Sequence, residues 1–136
     1  MEENEIPPLK ILFVDDEPNI LKSLKRLMSF ENYETAFAQS GAEGILHLKE
    51  NPVDIIISDM RMPQMQGDEF LAEAKKICPN SVRFILSGFS DFQAAINALN
   101  NGGIHQFISK PWNDDDLIER INEASEFIKI RKDRKS

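Results

Sequence analysis

The sequence VDIIISDMRMPQMQGDEF, at residues 53–70, decides how we expect the chain to fold. Its first six residues are almost continuously apolar, which is typical of a strand buried on both faces of a parallel sheet. After Asp59 come an irregular loop, RMPQMQGDE, and a helix whose apolar residues recur at helical spacing: Phe70, Leu71, Ala74 and Ile77. The segment therefore predicts a strand, a loop and a helix, with Asp59 at the carboxyl end of the strand.

The alternation of a short apolar run with an amphipathic helix occurs five times along the chain. Besides residues 53–58, the other apolar runs are 10–14 (KILFV), 82–86 (VRFIL) and the weaker 33–38 (YETAFA) and 104–109 (IHQFIS), which suit outer strands. Repeated strand–helix alternation implies right-handed crossovers between parallel strands. The pattern predicts a doubly wound α/β fold.

Capping residues indicate where the helices begin. Pro18 suits a first helical turn, and Asn113 precedes three aspartates that suit the positive end of a helix. Two pairs, Ser40 with Glu43 and Ser90 with Gln93, fit capping boxes. We therefore expect two further helices to begin at these serines.

Length, composition and charge restrict the class of protein. A chain of 136 residues with 41% hydrophobic residues fits one domain with a real core. A net charge of −7 argues against direct nucleic-acid binding by this domain. No apolar stretch approaches the ~20 residues that cross a bilayer, and the acidic start MEENEIPPLK does not have the form of a targeting signal. These features predict a cytoplasmic protein without a membrane segment, in which the single cysteine, Cys78, is a small buried side chain.

Polar residues follow or close four of the apolar runs. Asp15 and Asp16 follow the first, Asp59 follows VDIIIS, and Ser87 and Lys110 follow VRFIL and HQFIS. Because ligands of such sheets bind beyond the carboxyl ends of the strands, we expect these side chains to lie together.

The chemistry of this group is that of phosphoryl transfer. Three carboxylates repel one another unless a cation lies among them, and Mg²⁺ prefers oxygen ligands. We predict Asp16 and Asp59 as direct ligands, a backbone carbonyl near Arg61 as a third, and Asp15 as a ligand through water. Lys110 and Ser87 are then expected to contact phosphoryl oxygens. A carboxylate can itself be the nucleophile, and Asp59 is the best placed.

Four segments, LFVDDEP, IIISDMRMPQMQGDEF, ILSG and FISKPW, resemble the receiver domain of two-component response regulators. The resemblance covers roughly residues 9–128 and implies a flavodoxin-like fold with strand order 2-1-3-4-5 and five flanking helices. It implies that Asp59 is the phosphoacceptor, Ser87 and Phe107 the hydroxyl and aromatic of the switch, and Lys110 the lysine of the site. It also implies a cis peptide bond before Pro111.

On this interpretation the chain is a switch rather than an enzyme. A histidine kinase or phosphotransfer protein would phosphorylate Asp59 with Mg²⁺, and the surface of the fourth helix, fifth strand and fifth helix would then change to control an output domain or partner. The stretch SGFSDFQAAINALNNGGIHQFISKPW also resembles receivers that precede cyclic-dinucleotide phosphodiesterase or hydrogenase-type transcriptional domains.

The expected boundaries are a disordered segment at 1–8, the receiver domain at 9–128, and a basic tail or linker start at 129–136. On the last helix, apolar residues recur at spacings of four, three and four: Leu117, Ile121, Ala124 and Ile128. This spacing fits either a stripe of the core or the seam of a helix-pair homodimer.

Two alternatives remain open. A magnesium-dependent phosphatase of the haloacid dehalogenase type also forms an aspartyl phosphate, but it would need a carboxylate where this chain has Arg61. A phosphorylation-independent scaffold with the receiver fold would not need the acidic cluster or Lys110. We interpret Asp54 and Asp91 as ordinary strand-start or turn residues, and expect neither His47 nor His105 to bind a metal.

Overall fold

A five-stranded parallel sheet forms the centre of the computed structural model, which describes residues 7–101 and 103–135 apart from the side chains of residues 89, 134 and 135. The strands are β1 (Lys10–Val14), β2 (Glu34–Ala38), β3 (Ile55–Asp59), β4 (Val82–Ser87) and β5 (Gln106–Ser109). They lie in the order β2-β1-β3-β4-β5, and every neighbouring pair is parallel. The predicted doubly wound fold and its strand order are confirmed.

Helices cover both faces of the sheet, as the continuously apolar central strands require. They are α1 (Pro18–Met28), α2 (Gly41–Glu50), α3 (Gly67–Ile77), α4 (Phe92–Asn100) and α5 (Asp114–Lys135). One core cluster joins the sheet to α1 and α5, and the other joins it to α2, α3 and α4. In the part of the chain that the structure describes, no helix has both the length and the apolar character needed to cross a membrane.

The helix starts follow the capping predictions at three sites and depart from them at one. Pro18 begins α1, Ser40 accepts a hydrogen bond from the Glu43 N–H at 3.1 Å, and Asn113 caps α5. Only half of the capping box predicted at Ser40 forms, because the Glu43 carboxylate accepts from the Gln39 N–H at 3.0 Å instead of from the Ser40 N–H. The capping box predicted at Ser90 is wrong. Residues 89–91 form a 3₁₀ turn, closed by a hydrogen bond from the Asp91 N–H to the Gly88 carbonyl, and α4 begins only at Phe92.

A capping box that was not predicted begins α3. The Gln66 side chain accepts from the N–H of Glu69, and the Glu69 carboxylate accepts from the N–H of Gln66 at 3.0 Å. Serine and threonine are the usual cap residues of this motif, and a glutamine in its place hides the signal.

The apolar stripe on α5 belongs to the core. Its four residues, Leu117, Ile121, Ala124 and Ile128, are all buried against the sheet and α1. The core interpretation is therefore confirmed, and the interpretation of these residues as a dimer seam is wrong, because none of them is more than 8% exposed.

The helix α5 continues through the stretch that the sequence marks as a basic tail or linker start. Arg131 donates a hydrogen bond to the Asn80 carbonyl, and the Lys132 Nζ lies 2.9 Å from Asp54 Oδ1. Residues 129–133 are thus held against the amino-terminal edge of the sheet. Most of the segment predicted to be disordered, residues 1–6, lies outside the described residues.

Candidate functional site

Three carboxylates meet at the carboxyl edge of the sheet. Asp15 and Asp16 follow β1, Asp59 ends β3, and these two strands are hydrogen-bonded neighbours with Val14 opposite Ser58. One oxygen from each carboxylate lies within 4.8 Å of the others. Asp15 and Asp59 are buried, and Asp16 is partly exposed, so the cluster has one side open to solvent.

Lys110 approaches this cluster from the carboxyl end of β5, the edge strand beyond β4. Its Nζ lies 3.1 Å from Asp15 Oδ2 and 2.9 Å from Asp59 Oδ1. Its backbone N–H donates to the carbonyl of Ser87 at 3.0 Å, so the buried Ser87 and Lys110 lie side by side at the ends of β4 and β5. The structure therefore brings together all five polar residues predicted to meet, and the peptide bond before Pro111 is cis, as expected.

The electrostatics of the site reflect burial of like charges. Burial raises the pKa of Asp59 to about 6, and the charges of Asp15 and Asp16 act in the same direction, while the hydrogen bond from Lys110 opposes them. Burial alone would lower the pKa of Lys110, but the hydrogen bond to Asp59 and the charge of Asp15 outweigh it and raise that pKa. At neutral pH the lysine is therefore a cation and Asp59 is mostly a carboxylate.

The donor set fits a hard divalent cation. Three carboxylates carry three negative charges, and the Lys110 ammonium neutralises one of them. Two charges remain to be balanced in a largely buried site, and all the donor atoms are oxygens, which Mg²⁺ prefers. Asp15 is held most firmly, because its Oδ1 accepts from the Glu17 N–H at 2.9 Å while its Oδ2 contacts Lys110.

Phe107 lies next to this group rather than within it. The ring is half-buried on β5 and makes an edge-to-face contact with Phe92, with the ring centroids 5.6 Å apart. Phe92 and Phe107, with Ser87, Gly88, Ser109 and Lys110, line a cavity of about 360 Å³. The predicted switch hydroxyl and switch aromatic thus border the same cavity.

Gly67 is a site residue that the sequence analysis did not identify. A Cβ atom at this position would lie 2.0 Å from the carbonyl oxygen of Asp59, and the Gly67 N–H donates to the Met60 carbonyl at 2.8 Å. The first residue of α3 therefore packs directly on the backbone of Asp59, which only glycine allows. The signal available in the sequence was a glycine at the junction of the loop and the helix.

Asp91 is not the ordinary turn residue that we predicted. Its carboxylate is buried, accepts a hydrogen bond from Arg61 Nε, and lies 3.4 Å from the backbone nitrogen of Gly88. The Arg61 side chain, whose backbone carbonyl was expected to serve the metal, is thus engaged by the start of α4. No local pattern joins two residues thirty positions apart.

The family model of the response regulator receiver domain matches residues 11–122. The hydrogenase transcriptional regulatory protein HoxA of Cupriavidus necator is 37% identical to this chain over 85% of the chain and 24% of its own length. The transcriptional regulatory protein GlrR of Escherichia coli K12 is also 37% identical, over 88% of this chain and 27% of its own length. The chain thus spans about a quarter of these curated relatives.

Solved structures show the same similarity. A response regulator receiver domain protein from Clostridium thermocellum is 37% identical, with a TM-score of 0.83 over 90% of this chain and 98% of its own. The signal receiver domain of an HD domain-containing protein from Pseudomonas fluorescens Pf-5 is 33% identical, with a TM-score of 0.84 over 88% of this chain and 96% of its own. TM-scores of this size over most of both chains show that the two structures share the fold described above.

Proposed function

The chain is a receiver domain of the two-component response regulator family, and we propose that it accepts a phosphoryl group on Asp59 and signals through the surface of α4, β5 and α5. The observation that carries the proposal is the pair of contacts from the Lys110 Nζ to Asp15 and Asp59. They support the proposal because a carboxylate that attacks a phosphoryl group needs a cation nearby to neutralise the phosphoryl oxygens.

In the proposed reaction a carboxylate oxygen of Asp59 attacks the phosphorus of a phosphohistidine on the donor protein. The new O–P bond forms as the N–P bond breaks, and the imidazole leaves with the electron pair of that bond. Lys110 neutralises a phosphoryl oxygen, and the Ser87 hydroxyl donates a hydrogen bond to another. With a pKa of about 6, Asp59 is ionised and able to attack at neutral pH.

Asp15, Asp16, Asp59 and the backbone carbonyl of Arg61 would hold the Mg²⁺ ion of the site. When bound, the ion balances charge on the phosphoryl group as it transfers. Asp15 keeps the position of Lys110 through their 3.1 Å contact, and the burial of Asp15 limits the motion of both side chains.

The signal ends when water attacks the phosphorus, the O–P bond to Asp59 breaks, and inorganic phosphate leaves. Each chain thus accepts and releases a single phosphoryl group on its own Asp59. We therefore propose a switch and not an enzyme acting on a separate substrate. The phosphatase alternative is less favoured because Arg61, where that class would need a carboxylate, is a cation paired with Asp91.

We further propose a sensor histidine kinase or a phosphotransfer protein as the phosphoryl donor, and an output domain or separate partner as the receiver of the signal. The names of HoxA and GlrR describe transcriptional regulators, which favours a transcriptional output.

A homodimer through α4, β5 and α5 remains a proposal, and it would have to use exposed side chains. We place the domain in the cytoplasm, where the ATP used by histidine kinases is found, with no direct nucleic-acid or membrane contact of its own.

Labelling with a small acyl phosphate tests this function. Incubation with acetyl phosphate and Mg²⁺ is expected to add one phosphoryl group to the intact protein, on the peptide that contains Asp59. Chelation of Mg²⁺ before the incubation should remove the labelling. Intact mass spectrometry and peptide mapping measure both results. Absence of labelling with Mg²⁺ would instead favour the phosphorylation-independent scaffold.

The raised pKa of Asp59 makes Mg²⁺ binding depend on pH. Protons and the cation compete for the same carboxylate, so affinity falls as the pH drops through about 6. With one proton to displace, we expect Mg²⁺ affinity to be about tenfold weaker at pH 5 than at pH 7. Fluorescence of the single tryptophan, Trp112, or titration calorimetry measures the affinity. An affinity that stays constant across this interval would contradict the assignment of Asp59 as a ligand.

A further inference from the structure

The carboxylate of Asp91 connects the two loops that flank the proposed phosphorylation site. Its Oδ1 is paired with Arg61 Nε, and its Oδ2 lies 3.4 Å from the backbone nitrogen of Gly88. Arg61 is two residues beyond Asp59, and Gly88 directly follows Ser87. A single side chain at the start of α4 therefore holds donors from both sides of the site.

Both contacts are of a kind that can be exchanged for others. The Arg61 side chain is 62% exposed, so its ion pair is well solvated on one side, and the hydrogen bond from the Gly88 N–H is long. The Asp91 side chain, in contrast, is only 6% exposed, so these two partners offset the cost of its burial. A phosphoryl group on Asp59 would bring a stronger, doubly charged acceptor close to the same two donors.

We propose that Asp91 is a positioning residue for the phosphorylation switch. Together with Arg61 and Gly88 it forms a latch, which we call the α4 latch, that holds the loop between β4 and α4 in its unphosphorylated arrangement. Phosphorylation of Asp59 opens the latch by drawing the Gly88 N–H and the Arg61 guanidinium toward the phosphoryl oxygens. This inference rests on the proposed function of Asp59.

The next residue carries the change to the far edge of the sheet. Phe92 contacts the ring of Phe107 edge to face, and both rings line the cavity beside Ser87. Because Asp91 and Phe92 are adjacent, a shift of the first turn of α4 alters the contact on which the position of Phe107 depends. Opening of the α4 latch thus changes the surface of α4 and β5, because the first turn of α4 connects Asp91 to the contact between Phe92 and Phe107.

A latch that stabilises the unphosphorylated arrangement weakens the binding of a phosphoryl mimic, because only the unlatched fraction binds. In Asp91→Asn the buried charge is lost while the side-chain shape is kept. We expect this variant to bind beryllofluoride, in the presence of Mg²⁺, about five- to tenfold more tightly than the unmodified chain does. The affinity is measured by titration followed through Trp112 fluorescence.

Loss of a negative charge alone also favours an anionic probe, so a second readout without the probe is needed. In Asp91→Asn without beryllofluoride, the amide resonance of Gly88 should already be shifted. The shift should be toward the position that this resonance has in the wild-type protein saturated with beryllofluoride. Tighter binding without that displacement would show a charge effect only and would overturn the latch. Asp68→Asn, which removes a carboxylate at the start of α3, is the matched control and should leave the Gly88 resonance in place.

Two further outcomes separate the latch from the proposed function. If the unmodified chain with Mg²⁺ does not respond to beryllofluoride, the proposed function of the site fails. If it responds and Asp91→Asn behaves like the unmodified chain, only the latch fails.

Should Asp91→Asn not fold, Arg61→Gln is the second test variant. The Arg61 side chain is exposed, and its replacement removes one of the two contacts of the latch. It should displace the Gly88 resonance in the same direction, and an undisplaced resonance would reject the latch.

Discussion

Replacement of Asp59 by asparagine is expected to abolish phosphorylation of the chain by acetyl phosphate and Mg²⁺. The amide keeps the size of the carboxylate but lacks the charged oxygen that attacks phosphorus. Removal of a nucleophile costs far more than removal of a supporting group, so we expect the labelling rate to fall by about a thousandfold or more. Intact mass spectrometry over a time course measures the loss.

A matched aspartate just before the same strand provides the control. Asp54 lies just before β3, at the opposite end from Asp59, where its carboxylate accepts from the Lys10 N–H and pairs with Lys132. Asp54→Asn should be labelled like the unmodified chain. Labelling of Asp59→Asn at an undiminished rate would show that another residue is the phosphoacceptor.

Asp59→Asn should also be well folded, so loss of labelling is not loss of structure. Because burial and neighbouring carboxylates raise the pKa of Asp59, its ionised form is less favourable in the folded chain than in the unfolded one. That effect is absent well below the unfolded pKa, grows as the pH rises toward about 6, and persists at neutral pH. The thermal midpoint of Asp59→Asn in chelator at neutral pH is therefore expected to be equal to or higher than that of the unmodified chain.

Gly67→Ala is expected to be the most destabilising single-methyl addition among the glycines that the structure describes. The new Cβ would lie 2.0 Å from the carbonyl oxygen of Asp59, a backbone atom that no rotamer change can move. Either α3 or the end of β3 must shift, and overpacking of this kind costs about 3 kcal/mol of unfolding free energy. Chemical denaturation measures that cost, and because Asp59 moves with its carbonyl, Mg²⁺ affinity should fall as well.

Gly103→Ala adds the same methyl group where there is room for it. Its Cβ would be 3.7 Å from the Ala98 carbonyl oxygen, an ordinary contact distance. We expect its unfolding free energy to change by less than about 0.5 kcal/mol. Equal stability of the two variants would mean that α3 does not press on Asp59 as described.

The predictions that succeeded depended on patterns within short segments. Continuous apolar runs and alternating helices identified the five strands, and parallel strands share one carboxyl edge, so Asp15, Asp59 and Lys110 had to approach one another. The failure at Ser90 also arose within a short segment, where a backbone hydrogen bond competed with the capping pattern. The Gly88 carbonyl accepts the Asp91 N–H and closes a 3₁₀ turn, so the backbone hydrogen bond replaced the side-chain cap.

The sequence by itself determined the doubly wound fold and the cluster of acids, serine and lysine, because the period of apolar residues and the ends of strands are local properties. The strand order was implied by the resemblance of the sequence motifs to receiver domains. Only the tertiary structure decided that Arg61 and Gly88 both donate to the Asp91 carboxylate, and which backbone atom Gly67 approaches. Those contacts join loops distant in sequence, and their geometry depends on where the packed helices come to rest against the sheet. Periodicity specifies which face of an element is buried, whereas the partner of a buried carboxylate follows only from the completed packing.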